Sequence, residues 1–126
     1  MIRDITQISM AKALDGLAAR HKALAANVAN ADTPGYQRIQ VAFEDQLRNA
    51  LAQSAPLDSS ASAGVRAVAP QTTIDETAQP RENGNTVNID SEMAQLSENT
   101  LGYQAVLRAA SIKGEMLRNA IWEGKR

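Results

Sequence analysis

The 126-residue chain contains no cysteine, so it forms neither disulfide bonds nor thiolate metal sites. Aromatic residues make up only 3% of the composition, which favours a thin helical core over a thick globular one. The 13 basic residues nearly balance the 14 acidic ones, so there is no electrostatic footprint for nucleic acid or an anionic membrane. No run approaches the ~20 apolar residues of a membrane span. The composition therefore predicts a small helical protein with no nucleic-acid partner.

Enzyme chemistry needs clusters of functional groups that this sequence does not provide. The only histidine, His21, has no second histidine or cysteine to complete a metal or acid–base site. We expect it to be a partly buried residue of a helix seam. The seven glycines are scattered and form no phosphate-binding loop. The sequence therefore predicts that the protein is not an enzyme and has no catalytic residues, no metal and no cofactor.

The first residues do not resemble a secretory signal. Residues 1–16 are amphipathic and carry Arg3, Asp4, Lys12 and Asp15 in place of the long apolar region that such a signal needs. If the protein leaves the cytoplasm, we expect it to do so by a route that does not use a cleaved signal peptide.

The most regular pattern in the sequence is a stripe of apolar and small residues in its last third. From Ile89 onward these residues recur at alternating intervals of three and four, which predicts a helix that begins at Asn88 or Asp90 and continues to the last residues. A stripe of this length has to pack against another helix of the same chain or of a neighbour. It consists of Met93, Leu96, Thr100, Tyr103, Leu107, Ala110, Gly114, Leu117 and Ile121.

A second stripe with the same rhythm lies in the first third. It predicts a helix from about residue 5 to residue 30, with Asp4 and Gln7 as a capping box at its start. The helix ends before Pro34, because proline forces Thr33 out of the helical region. The stripe consists of Met10, Leu14, Leu17, His21, Leu24, Val28 and Ala31.

The region between the stripes divides the chain into segments. Pro34–Gly35 predicts a type II turn, and the pattern between residues 43 and 51 predicts a short helix. Residues 54–84 hold three of the four prolines and few large apolar side chains, so we expect a flexible, irregular segment. The segments are therefore 1–53, 54–84 and 85–126, with the two ends together forming one domain.

Two long striped helices joined by a loose middle predict an all-α fold, in which they form an antiparallel, coiled-coil-like hairpin. We expect the seam between them to consist of Leu14, Leu17, Leu24, Val28, Met93, Leu96, Tyr103, Leu107, Leu117 and Ile121. Val106, Ile112 and Met116 lie off this seam, so the chain should pack against copies of itself or against similar chains. Trp122 is either an exposed anchor for a partner or the plug that closes the hairpin.

Residues 25–36, AANVANADTPGY, contain more than a helix end and a turn require. The turn accounts for Pro34 and Gly35. It does not account for the two amides, Asn27 and Asn30, at the end of an alanine-rich helix. Both side chains can hydrogen-bond to backbone, either in the turn itself or on an adjacent chain.

Both ends of the chain resemble one protein family. Residues 27–36, NVANADTPGY, resemble the N-terminal signature of the bacterial flagellar rod, hook and hook-associated axial proteins. Residues 84–90, GNTVNID, resemble the entry to the C-terminal helix of the same family, as do Glu92-Met93 and residues 103–105. The chain departs from the pattern at Ala26, where many members carry asparagine. The short length and the two motif forms point to the proximal rod members.

The resemblance implies a structural subunit of the proximal rod in the flagellar basal body, which crosses the periplasm and transmits torque from the motor ring to hook and filament. It also implies export by the flagellar type III apparatus without a cleaved signal peptide. The implied partners are copies of the chain in a helical assembly, other rod proteins, and the membrane-embedded motor ring with its rod adaptor. As a hypothesis, contacts between subunits around the turn are assigned to Asn27, Asn30, Thr33, Pro34, Gly35 and Tyr36.

The alternative is a cytoplasmic helical adaptor or export chaperone. Such a protein would explain the two stripes and the lack of a catalytic site equally well. It would not explain the paired motifs at the two ends of the chain.

Overall fold

A computed structural model describes residues 4–53 and 59–124 of the chain. None of the helices in this part of the chain is long and apolar enough to cross a lipid bilayer. The predicted short helix is present as α2, with two acidic residues in its first turn. The elements, in chain order, are α1 (Ile5–Ala29), β1 (Ile39–Ala42), α2 (Glu44–Ala52), α3 (Ser59–Ala67), β2 (Gln71–Ile74) and α4 (Ile89–Glu123).

The two long helices begin at side-chain caps. Asp4 accepts a hydrogen bond of 3.2 Å from the backbone N–H of Thr6 at the start of α1. At the start of α4, the Asn88 side chain accepts hydrogen bonds from the backbone N–H groups of Asp90 and Ser91. These oxygens satisfy N–H groups that have no partner inside a first helical turn. The predicted starts of both helices are therefore confirmed.

Two glycine turns lie against each other between the long helices. In the first turn the Tyr36 N–H donates to the Thr33 carbonyl over 3.3 Å, and Gly35 has a φ of +72°. This is the predicted type II geometry. Gly84 has a φ of +77°, and the Gly35 N–H donates to the Asn83 carbonyl over 2.9 Å. The contact brings the segment before α4 next to the end of α1.

Helices α1 and α4 form the predicted antiparallel hairpin. Glu92, near the start of α4, contacts Asn27, near the end of α1, while Lys113 forms an ion pair with Asp4 at the other end. Helix α4 has 35 residues and α1 has 25. The ten residues of α4 after Lys113 therefore extend beyond the start of α1, over about 15 Å at ~1.5 Å per residue.

The face of α4 that packs on α1 is rotated from the predicted seam. Glu92 and Asn99 are buried on this face, and Val106, predicted to lie off the seam, is half-buried there. Leu96 is also half-buried. The polar residues turn inward because their hydrogen-bond partners lie on α1 and at Arg38, directly before β1. The predicted packing inside the hairpin is wrong for five exposed side chains, namely Met93, Tyr103, Leu107, Leu117 and Ile121.

The predicted seam of α1 agrees better with the structure. Leu24 is buried, and the other three apolar seam residues, Leu14, Leu17 and Val28, are half-buried. His21 was expected to be partly buried but is exposed. It lies beside Thr100 and Tyr103 at the open side of the contact between α1 and α4, where water reaches it.

A small sheet is the main departure from the all-α prediction. Strands β1 and β2 pair antiparallel, with Ile39 opposite Ile74. Val41 in β1 and Phe43 just after it pack on Ala23 of α1, and these three buried residues form a core cluster. The fold is therefore mostly helical, with a two-stranded sheet packed on α1.

The segment 54–84, predicted to be irregular, contains α3 and β2. Val65 is fully buried and Val68 is 7% exposed. Helix α3 packs on α1, and β2 is held by backbone pairing with β1. The prediction was wrong here because backbone pairing needs no large apolar side chains, and two valines suffice to attach a short helix. Residues 54–58 of this segment and 125–126 of the predicted last helix lie outside the described residues.

Candidate functional site

Asn27, near the end of α1, is the centre of a buried hydrogen-bond network. Its Nδ2 donates to the Ile39 carbonyl over 2.8 Å and to Glu92 Oε2 over 2.9 Å. Its Oδ1 accepts from the Ile39 N–H over 3.0 Å and from the Tyr36 hydroxyl over 3.2 Å. The residue is fully buried, and these four bonds use the whole capacity of its amide. Its predicted role in subunit contacts is therefore corrected to a role inside the chain.

Side chains of α1 take the place of a strand along the second edge of β1. Asn27 bonds both backbone groups of Ile39, and Arg20 Nη2 donates to the Val41 carbonyl over 3.0 Å. The Arg20 guanidinium also lies 5.1 Å from the centre of the Phe43 ring, within the range of a cation–π contact. Because a free strand edge pairs readily with other chains, these contacts protect β1.

Arg38 lies directly before β1. Its side chain binds α4 and also Asp75, which directly follows β2. Its Nε bonds Glu92 Oε1, its Nη1 bonds Asp75 Oδ2 at 2.7 Å, and its Nη2 bonds Gln95 Oε1 at 2.9 Å. The Glu92 carboxylate is fully buried and accepts hydrogen bonds from both Arg38 and Asn27. A buried carboxylate is tolerated only when it is paired and hydrogen-bonded in this way.

The surroundings of Tyr36 and of Asp75 shift the pKa values of these two side chains. Burial, followed by the negative charge of Glu92, raises the pKa of Tyr36. Hydrogen bonds from the hydroxyl and backbone N–H of Thr77, followed by the charge of Arg38, lower the pKa of Asp75. At neutral pH, Tyr36 therefore keeps the proton that it donates to Asn27, and Asp75 keeps its charge.

A second buried amide ties the turn after α1 to the segment before α4. Asn85 is fully buried, and its Nδ2 donates to the carbonyls of Asn30 and Thr33 over 2.9 and 2.8 Å. Its Oδ1 accepts from the Val87 N–H over 2.7 Å. The Asn30 side chain donates to the Ala26 carbonyl of its own helix. Asn30 thus acts first as part of the turn.

The tip of the turn is exposed. Thr33, Pro34 and Gly35 are exposed, and Tyr36 is half-buried because its hydroxyl reaches inward to Asn27. Thr33, Pro34 and Gly35 therefore present a surface at the end of the hairpin opposite to the overhanging end of α4. Their contact with another subunit stays a prediction.

Helix α4 carries an apolar surface that the described part of the chain leaves uncovered. Leu101 is 67% exposed and Trp122 is 74% exposed. Because Trp122 is exposed, it does not close the end of the hairpin. The other interpretation, an exposed anchor for a partner, is compatible with this exposure. Apolar side chains exposed together on one element mark interaction sites in soluble proteins. The exposed apolar side chains that we call the α4 apolar surface lie on more than one face of the helix and are Leu101, Leu107, Ile112, Met116, Leu117, Ile121 and Trp122.

The polar residues that hold the site together do not follow from the apolar pattern of the sequence. Arg38 and Asn99 belong to none of the stripes or motifs. The available signal for Asn85 and Glu92 was their place in the C-terminal motif. Arg38 carried no signal, because its partners are 37 and 54 residues away in sequence. Among residues 4–53 and 59–124, no cluster of His, Asp and Glu side chains could hold a metal ion.

Known proteins match most of this chain, and the turn lies inside the part that a family model matches. A model of the family described as flagella basal body rod protein matches residues 10–37, which include the turn. The chain is 36% identical to the flagellar basal body rod protein FlgB of Escherichia coli K12 over 118 positions, covering 83% of this chain and 86% of that protein. FlgB of Salmonella typhimurium is 36% identical over 119 positions, with the same coverage, and FlgB of Bacillus subtilis 168 is 28% identical over 114, covering 84% of each chain. The chain therefore belongs to the FlgB family of flagellar basal body rod proteins, which are structural subunits and not enzymes.

Proposed function

We propose that this chain is a subunit of the proximal rod, where it helps to transmit torque from the motor ring to the hook and filament. The observation that carries the proposal is the α4 apolar surface. Leu107, Met116 and Ile121 are 51%, 65% and 62% exposed in the single copy. Covering these side chains with neighbouring subunits removes apolar area from water, which favours association.

A rod subunit that carries torque has to resist sliding of its helices. The α1–α4 hairpin is held near both ends: Asn27 and Arg38 bind Glu92 at one end, and Lys113 pairs with Asp4 at the other. Polar contacts of this kind have a defined geometry, so a shift of one helix along the other would break them. The hairpin is therefore suited to act as a stiff unit.

We further infer that the chain assembles with other rod components and with copies of itself into a helical array. The exposed turn tip at residues 33–35 and the overhanging end of α4 lie at opposite ends of the hairpin. Contacts between such different surfaces are heterologous, and heterologous contacts that do not close into a ring build open helical assemblies. The motor ring with its rod adaptor would be the neighbours at the base of the rod.

Export by the flagellar type III apparatus, without a cleaved signal peptide, and a final place in the periplasmic part of the rod belong to the same proposal. The chain has no cysteine, so its folding after export needs no disulfide formation. Among the described residues only nine apolar side chains are buried, and six of these nine are alanine or valine. A small core favours a subunit that unfolds easily for export and gains order in the assembly.

The test is electron microscopy of basal bodies from a strain that lacks this gene through an in-frame deletion. We expect membrane rings without rod, hook or filament, and expect rods to return when the gene is supplied on a plasmid. Complete rods in the deletion strain would contradict the proposal and would favour a cytoplasmic adaptor. An independent test is to measure whether the tagged protein fractionates with purified basal bodies, as a rod subunit should, or with the cytosol, as an adaptor should.

A further inference from the structure

The two edges of the small sheet differ. On β1, side chains of α1 bond the backbone groups that point away from β2. Asn27 bonds the N–H and the C=O of Ile39, and Arg20 bonds the Val41 carbonyl. The outer edge of β2 has no such cover in the described part of the chain, and all four residues of the strand are exposed. Because a two-stranded sheet is only marginally stable by itself, a third strand would strengthen it.

The register of the sheet shows which backbone groups form the outer edge of β2. The Asp75 N–H donates to the Arg38 carbonyl over 2.9 Å, so these two residues form a hydrogen-bonded pair. In an antiparallel ladder such pairs alternate with pairs whose backbone groups point outward. Thr72 and Ile74, which lie opposite the outward-pointing residues of β1, therefore point their N–H and C=O groups away from β1. No other group in the described part of the chain bonds these backbone groups, which we call the free edge of β2.

The sequence around the free edge lacks the features that keep strand edges from pairing. Natural edges are guarded by charged side chains, proline, bulges or a covering element. Residues 67–74, AVAPQTTI, contain no charge, and their one proline, Pro70, lies before β2. Thr72, Thr73 and Ile74 are β-branched, and such residues are favoured in strands. Ile74 is also 51% exposed, so it offers an apolar contact to a side chain of an added strand.

We propose that the free edge of β2 binds an extended segment of a different rod protein, which adds to the sheet as a third strand. The N–H groups of Thr72 and Ile74 donate to this segment, and their carbonyls accept from it. The inference rests on the proposed function, since it takes another rod component as the partner.

A second copy of this chain is the weaker candidate for the added strand. Pairing the free edge with the same edge of a copy requires a two-fold axis, which closes a dimer and does not build a rod. The other strand edge in the described part of the chain, on β1, is covered by Asn27 and Arg20. The added strand is therefore assigned to a protein of different sequence.

Photo-crosslinking identifies the strand that adds. The photoreactive residue p-benzoylphenylalanine replaces Thr73, which is exposed and whose backbone groups point toward β1, so the free edge stays intact. This tagged protein is produced beside an untagged wild-type copy, so that rods form in every strain. After irradiation of cells, the crosslinked peptides are identified by mass spectrometry of purified basal bodies. We expect position 73 to capture a peptide of a different rod protein.

A proline in β2 tests the hydrogen bonds of the free edge. Thr72→Pro removes an N–H that points outward and places a ring there, while the bonds between β1 and β2 are kept. It should lower the crosslink yield per incorporated subunit about tenfold, the scale of a lost hydrogen bond. Thr72→Ala removes the same side chain but keeps the N–H, so it should change the yield less than about twofold. Unfolding in urea shows that each purified variant is folded.

Ile74→Lys decides the question if Thr72→Pro does not fold. It keeps every backbone group and adds a charge of the kind that guards natural strand edges, so it should also lower the crosslink yield. Crosslinks formed from p-benzoylphenylalanine at Gln104, which is exposed on α4, are the control and should not respond to either substitution.

Three results would overturn the proposal. They are a captured peptide that comes from a second copy of this chain or from a protein outside the rod, an unchanged yield in the folded edge variants, and no crosslink from position 73 in basal bodies that contain the tagged protein. Absence of the tagged protein from basal bodies would be a different result, since it would contradict the proposed function itself.

Discussion

Asn27 Nδ2 donates a hydrogen bond of 2.9 Å to Glu92 Oε2, and both side chains are fully buried. The bond joins the end of α1 to the start of α4 across 65 positions of sequence. Arg38 binds the other oxygen of the same carboxylate, so one side chain links two helices and the sheet. The hairpin is therefore closed at this end by a polar cluster, and the loss of any member should be felt throughout the fold.

Replacing Glu92 with alanine should strongly destabilise the protein. The change leaves Asn27, which is fully buried, and Arg38, whose side chain is 13% exposed, without their shared acceptor, and breaking a buried pair in this way costs about 3–5 kcal/mol. The measurement is the free energy of unfolding in urea. Glu115→Ala removes an exposed carboxylate of the same helix and should change this free energy by less than about 0.5 kcal/mol. Equal effects of the two substitutions would contradict the role assigned to Glu92.

Asp75 should make stability depend on pH in the acid range. Its folded pKa lies below the ordinary value of 3.8, so the unfolded chain takes up the proton first. The stabilisation is therefore complete above pH 3.8 and is lost as the pH falls through the folded value. Asp75→Asn should be less stable than the wild type near pH 7, and the difference should shrink toward pH 3. A difference in the free energy of unfolding that stays constant with pH would contradict this assignment.

Gly16 and Gly64 should respond in opposite ways to alanine. A Cβ at Gly16 would overlap the Phe43 ring, so Gly16→Ala should lower the free energy of unfolding by about 1–3 kcal/mol. A Cβ at Gly64 in α3 meets nothing within 4 Å, so Gly64→Ala should stabilise by about 0.5–1 kcal/mol. Urea unfolding of both variants checks the pair. A stabilised Gly16→Ala would mean that Phe43 does not lie against α1.

Leu107→Asp should abolish rod assembly and leave the single subunit folded. Leu107 is 51% exposed, so the charge stays in water in the monomer but has to be buried in the assembly. We expect the free energy of unfolding to change by less than about 0.5 kcal/mol, while cells lose motility in soft agar. Gln104→Asp, at a neighbouring exposed position, is the matched control and should keep motility. Normal motility with Leu107→Asp would show that this part of α4 faces solvent in the rod.

Local features of the structure were predictable because their causes are local. The caps at Asp4 and Asn88 and the turn at Gly35 depend on residues within three positions along the chain. Both long helices and the type II turn therefore follow from short stretches of sequence. The antiparallel arrangement of α1 and α4 was predicted as well, although α4 packs on α1 through a face other than its apolar stripe.

The inward face of α4 was not predictable from the apolar pattern. Apolar spacing favours a seam through Met93 and Leu107, but the structure buries Glu92 and Asn99 and exposes the two apolar residues. The polar residues turn inward because Asn27 and the Leu17 carbonyl offer them hydrogen bonds. A subunit that leaves its apolar stripe outside keeps it free for neighbours. The apolar periodicity therefore predicted the helix but not the face of it that packs on α1.

The sequence by itself determined the two long helices, the turn between them and the family to which the chain belongs. These follow from caps, periodicity and two short motifs, all of which act over a few residues. Only the tertiary structure decided that β1 pairs with β2, that Asn27 is buried rather than offered to a neighbour, and that the α4 apolar surface faces outward. The physical reason is that strand pairing and buried polar networks need partners tens of residues apart, whose meeting depends on the packing of the whole chain.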